Sequence, residues 1–277
     1  MGSKRSAVSS ASPAKAVTGW VGRQSTRVKA ILGVAIGLLT LVGLKLWVRN
    51  HNHFFVASEA IHAAGIFVLV YKLTTQKTCS GLSLRSQGLT ALFLAVRLFC
   101  SVFMEADIHT MLDFASLVST LWVIYMMWFK LKATYVKELD NMPLYYLQLI
   151  PSVVLALIVK PYTHYGFMSE FLWAFCSYLE AVSVLPQLRL MQNAKMIEPF
   201  TSHYVFALGI ARFLACAHWI IRVIETRGAY LYIAGSGYFW FPVAFLAEMV
   251  QTFILADFCY YYVKSFMAGQ LVMRMPV

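Results

Sequence analysis

From residue 30 to near its end, the chain repeats one pattern: an apolar run of about 20 residues, then a short polar connection. The runs fall at roughly 30–48, 54–71, 87–104, 109–129, 143–160, 167–188, 202–224 and 237–263. Each has the length needed to cross a hydrocarbon core of about 30 Å as an α-helix. Lipid offers the backbone no partners, so a spanning segment must satisfy its own N–H and C=O groups. The pattern therefore predicts an all-α polytopic membrane protein with eight spans. Residues 1–28 are Ser-rich and basic with no acidic residue, a composition that builds no core and predicts a disordered tail. The first apolar run, AILGVAIGLLTLVGLKLWV, is too long and lies too far in to be a cleavable secretory signal.

Charge then orients the spans. The tail holds Lys4, Arg5, Lys15, Arg23 and Arg27, and alternate connections hold Lys72, Lys77 and Arg85, then Lys130, Lys132 and Lys137, then Arg189 and Lys195. The intervening connections are poorer in positive charge. Basic loops face the cytosol, so both termini are expected there. Composition agrees with this class: 60% of residues are hydrophobic and 13% charged, against roughly 25% charged in soluble domains. The net charge of +11 reads as topology rather than nucleic-acid binding. The five scattered cysteines, without CxxC spacing, read as free thiols rather than a disulfide or metal framework. Neither a catalytic motif nor a cofactor-binding motif is found.

Several ionisable groups fall inside the runs: Glu59, His62, Arg97, Glu170, Glu180, Arg212, His218, Arg222 and Asp257. A charge near the bilayer centre costs about 2.5–3.5 kcal/mol, so these side chains are expected to turn inward. Glu170, Trp173 and Glu180 share one helical stripe, and Arg212, Trp219 and Arg222 another. Together with Arg97 they describe a polar cavity with an arginine surplus, suited to an anionic ligand, in which a tryptophan can also hold a cation. The bland reading is a set of buried pairs that fix helix register, Glu180 with Arg222 among them. Asp257 is expected to serve helix packing. His62, with a free value near 6.5, suits a pH switch.

Seven strings carry a resemblance: SYLEAVSVLPQL, EFLWAF, TSHYVFALGIAR, HWIIR, VQTFILADFCYYYV, KTCSGLSLRSQ and FKLKATY. In order and with few gaps, they are similar to the ER lumen protein-retaining (KDEL) receptor family over residues 54–268. The resemblance implies a seven-helix PQ-loop, SWEET-like core of two three-helix repeats and a linking helix. Pro186-Gln187 resembles the PQ element that bends a helix of the second repeat, with Ser86-Gln87 as its counterpart. Span 29–49 is then an extra N-terminal helix that joins the cytosolic tail to a lumenal entry, and 269–277 is a cytosolic C-terminal tail.

What the resemblance implies for function is a receptor of ER and Golgi membranes. It would bind the C-terminal KDEL or HDEL of escaped ER proteins and return them, with vesicle coat machinery on the cytosolic side. By position, His62 resembles the pH-sensing histidine and Glu180 the cavity carboxylate. Arg97, Arg212 and Arg222 resemble the arginines that receive the ligand's carboxylates, Glu170 and Trp173 the site for its basic fourth-from-last residue, and Trp219 a cavity-lining tryptophan. The chain departs from the family at Phe55 (an arginine there), Leu98 and Cys100 (tyrosine and aspartate), Ala211 and Ala215 (two tyrosines) and His218 (an asparagine). The tail after Lys264 also lacks the family's paired lysines. The alternative is a relative with lost or changed signal binding, a small-solute carrier or a trafficking scaffold.

Overall fold

The computed structural model describes residues 52–104, 108–194, 196–232 and 237–270. The basic tail, the extra span and residues 271–277 lie outside the described residues. The first three helices are α1 (Asn52–Thr75), α2 (Leu84–Met104) and α3 (Ile108–Tyr125), the last continuing through a π-helical turn, Met126–Lys130. Another such turn, Tyr145–Leu149, leads into a short α4 (Ile150–Ile158). Then come α5 (Phe167–Val182), α6 (Leu185–Asn193), α7 (Pro199–Glu225) and α8 (Trp240–Met267). Six of the described segments are long and apolar enough to cross a membrane, with α5 and α6 forming one of them. The run expected at 143–160 is shorter, Tyr146–Ile158. Pro161 explains its end: the residue before a proline is driven toward extended backbone, and Val159 is already extended (φ −124°, ψ 108°).

Helix packing has an internal symmetry. α3 packs against both α1 and α2, and α8 against both α5 and α7, while α1 packs on α7 and α2 on α5. Exchanging α1 with α5, α2 with α7 and α3 with α8 maps this pattern onto itself, as two three-helix repeats require; α4 rests on α5. The outer faces stay apolar. Phe103, Met111 and Phe253 are each 68% exposed, the condition of side chains that meet lipid rather than water. Asp257 departs from the expectation of inward packing. It is exposed on α8, off the stripe of Gln251, Leu255 and Phe258 that is buried.

The bend between α5 and α6 follows from Pro186. Its ring nitrogen has no proton for the carbonyl of Val182, which accepts instead from Gln148 Nε2 at 3.1 Å. Ser183 and Val184 stay near the helical region but end α5 with a tighter turn, Ser183 N to Glu180 O at 3.2 Å. The Ser183 carbonyl accepts from Ser86 Oγ at 2.8 Å. Gln187 then reaches sideways, accepting from Ser83 N and donating to Gly81 O, both at 2.8 Å. Ser86-Gln87 stands in the first turn of α2 and supports this bend from outside; it does not make a second one.

These bonds sit at the end of the bundle where the basic connections gather. There Lys72, wholly buried, donates to Ser80 O at 2.8 Å and Thr201 Oγ1 at 2.9 Å, and pairs with Glu198 at 2.5 Å. Asp140 accepts from Ser83 Oγ, Arg85 N and Tyr135 OH. Burial and the bond to Asp140 push the Tyr135 phenol above its ordinary value, so it remains a neutral donor.

Small residues set how closely the helices approach, because apolar burial does not drive association within lipid. Gly65 faces Ala207 where α1 meets α7, and Gly209 faces Cys259 where α7 meets α8. A Cβ added at Gly209 would run into Cys259 Sγ. Gly209→Ala should therefore force α7 and α8 apart and cost about 1–3 kcal/mol. Thermal unfolding in detergent should show a drop of several degrees, restored by adding Cys259→Ala. An unchanged midpoint in the single variant would mean the crossing is slack.

Candidate ligand-binding site

Midway along the bundle, four charged side chains form a ladder. Arg97 of α2 binds Asp113 of α3 with two bonds, Nε to Oδ2 at 2.8 Å and Nη2 to Oδ1 at 2.5 Å. Its remaining Nη1 reaches Glu180 Oε2 of α5 at 3.0 Å. The other oxygen of Glu180 accepts from Arg212 Nη2 of α7 at 2.7 Å. Planar guanidinium forks suit such shared carboxylates, and the four charges cancel. Three of the side chains, Asp113, Glu180 and Arg212, are buried. Helix geometry explains the convergence: all four helices meet here, two from each repeat being bridged by α2–α5 and α1–α7 packing.

His62 of α1 lies beside this ladder, buried, with its ring stacked on Phe93 at 6.3 Å. Together with Thr90, Glu180, Tyr204 and Arg212, these two rings line a cavity of about 10 Å³, the room of a single water. The Glu180 backbone is fixed too, its carbonyl accepting from Gln251 Nε2 at 3.1 Å. Ser58 Oγ donates to Ala211 O at 2.7 Å, locking α1 to α7 one turn further along.

Toward the end of the bundle opposite the basic one, a second group surrounds Phe55. Its ring is 4.9 Å from that of His109 and 5.6 Å from that of His218. His109 Nδ1 lies 2.6 Å from Glu59 Oε2. Glu59 thus pairs with His109 rather than with His62, one turn away on its own helix. A third group lies around Glu170. Its Oε2 is 2.6 Å from Lys160 Nζ and its Oε1 accepts from Thr163 N at 2.8 Å. Trp173 and Trp219 pack against one cluster of Ala156, Ala174, Tyr178, Trp240 and Ala244, and Trp219 also meets Phe241 edge-on at 6.3 Å. Arg222 is half-buried, nearly three turns along α7 from Arg212.

The structure thus joins Arg97, Glu180 and Arg212 with His62, joins Trp173 with Trp219, and sets Glu170 apart with an internal cation. Glu180 meets Arg97 and Arg212, where the sequence reading weighed Arg222. Asp113, His109 and Lys160 were missed as site residues. For Asp113 a signal existed: Thr110, Asp113, Ser116 and Thr120 form a buried polar stripe at helical spacing within an apolar run. Glu248 was missed as well, and its Oε2 is buried without a hydrogen-bond partner among the described residues. Among those residues no cluster suited to a metal ion occurs, and the cysteines are free.

Comparison with known proteins identifies the family. A model of the ER lumen protein retaining receptor family matches residues 78–222, the stretch that supplies Arg97, Asp113, Glu180 and Arg212. An ER lumen protein-retaining receptor of Caenorhabditis briggsae is 36% identical over 215 residues, 76% of this chain and 93% of the relative. The receptor erd-2.2 of Caenorhabditis elegans is 34% identical over 228 residues, 82% of this chain and all of the relative. ER lumen protein-retaining receptor 3 of Xenopus tropicalis is 32% identical over 231 residues, again 82% of this chain and the whole relative. A shared length of this extent, together with an all-helical bundle of membrane-crossing segments, leads to one conclusion: the chain belongs to the ER lumen protein-retaining receptor family.

Proposed function

We propose that this chain is a multi-pass receptor of ER and Golgi membranes that binds the C-terminal K/HDEL-type retention signals of lumenal proteins and returns them to the ER. The observation that carries this reading is the family match across the very helices that hold the arginine–carboxylate ladder. The end of the bundle near Phe55 and Glu170 faces the lumen, the basic end and both termini face the cytosol, and coat machinery meets the protein there.

The signal presents an α-carboxylate and acidic side chains. Arg222, half-buried between the mouth and the ladder, receives it first. Arg97 and Arg212 follow by exchanging Asp113 and Glu180 for ligand oxygens, a swap of like charge-assisted bonds. A cavity of about 10 Å³ must widen for this, so binding is coupled to movement of the helices against one another. Ligand carboxylates that arrive beside His62 favour uptake of a proton by the imidazole, so binding strengthens as pH falls.

The test is binding of an HDEL-ending peptide to the purified full-length protein at pH about 5.5 and 7.5, values that straddle the free histidine. Saturable binding at the acidic pH, weaker by about tenfold or more at the other, is expected. Arg222→Ala should abolish it while the protein stays folded. No binding at either pH would sink the reading.

A further inference from the structure

Four carboxylates around the site already have partners inside the chain. Glu59 has His109, Asp113 has Arg97, Glu180 has Arg97 and Arg212, and Glu170 has Lys160. A signal of the K/HDEL type carries a single basic side chain, at its fourth-from-last position, and that cation needs an anion. Glu170 is the candidate on the tryptophan side of the site, and its two oxygens are both engaged, by Lys160 Nζ at 2.6 Å and by Thr163 N at 2.8 Å.

Lys160 is held where it is by more than this one pair. Its ammonium lies 4.3 Å from the centroid of the Phe167 ring, a cation–π contact. The preceding Val159 carbonyl accepts from Tyr178 OH at 2.9 Å, and the Tyr162 amide donates to Tyr238 OH at the same distance. Pro161 fixes the backbone between them. The segment is thus tied to α5 on one side and to the approach of α8 on the other. The Lys160 side chain is 19% exposed and that of Glu170 is 7% exposed, so their attraction is only weakly screened. A ligand cation arriving here would meet a neutralised carboxylate and a like charge at once.

Resting on the reading above, we propose that Lys160 fills the basic-residue subsite from within the chain. The receptor then reads the acidic C-terminal end of a signal and is indifferent to a positive charge at its fourth-from-last position. Its cargo class widens accordingly, to lumenal proteins ending in acidic residues and a terminal leucine with a neutral residue before them.

The experiment measures binding of a peptide series ending X-Asp-Glu-Leu, with X as Lys, His or Ala, to the full-length protein and to Lys160→Met and Lys160→Gln, at one acidic pH. For the wild type the three peptides should agree within about threefold. Freeing Glu170 should make both variants bind the Lys peptide at least about tenfold more tightly than the Ala peptide, the scale of one charge-assisted hydrogen bond. Adding Glu170→Gln to Lys160→Met should flatten the series again. A wild-type protein that favours Lys over Ala tenfold, or variants that remain flat, would overturn the proposal and leave the receptor reading intact. Failure of every peptide on every variant would overturn both.

Discussion

Glu180→Ala should lower the midpoint of thermal unfolding by roughly 10 °C, the largest effect expected of any single substitution in this protein. Glu180 lies between Arg97 and Arg212, at 3.0 and 2.7 Å, and its side chain is only 10% exposed. Its removal takes away the carboxylate that is hydrogen-bonded to Arg212 and leaves Arg97 bonded to Asp113 alone. Breaking a buried pair by deleting one partner typically costs about 3–5 kcal/mol, because the remaining charge stays desolvated. Glu180→Gln should fall between the two, since an amide oxygen still accepts one bond but no longer neutralises two cations. Replacing Arg212 together with Glu180 by apolar residues should recover part of the loss. That recovery separates a desolvation penalty from a loss of packing. If Glu180→Ala unfolds at the wild-type temperature, the ladder has no structural weight.

A second strong effect is expected at the other end of the bundle. Lys72 is wholly buried and its ammonium holds the 76–83 loop, through Ser80, to the start of α7, through Thr201 and Glu198. Lys72→Met keeps the apolar stem and deletes three charge-assisted contacts. The expected loss is about 2–4 kcal/mol. It is held below that of Glu180 because Glu198, 28% exposed, can turn to water. Hydrogen exchange should show where the loss falls: the amides of Cys79 and Leu82, which donate to Thr134 Oγ1 and to the Cys79 carbonyl, should open well before the helices do. Lys72→Met with Glu198→Gln should be less damaging than the sum of the singles. Strict additivity would show that the two side chains do not act as a pair.

Some of the site was legible in the chain and some was not, and particular residues show why. Arg97, Glu180 and Arg212 stood out because each interrupts an apolar run, where a charge has few alternatives to turning inward. The bend at Pro186 was equally visible, since a missing N–H is a property of the residue itself. Asp113 does the same in the run at 109–129, and only its buried polar stripe distinguishes it. Lys160 offered no such cue. It lies in a connection, where lysines are ordinary, and only the fold brings it to Glu170. Phe55 was noted as a departure, but its place between two histidine rings depends on three helices meeting.

The class of molecule, the described helices to within a few residues and the family were all legible in the chain. Each follows from local properties: the length of an apolar run, the distribution of lysine and arginine, strings in a fixed order. Which charge faces which is settled by helix packing. The bonds of the ladder join residues 16, 83 and 32 positions apart, and helical periodicity says nothing across such gaps. In a low-dielectric interior every buried charge must find a partner, yet several candidates satisfy that requirement equally on paper. The packing of α2 on α3 and α5, and of α1 on α7, is what selects among them.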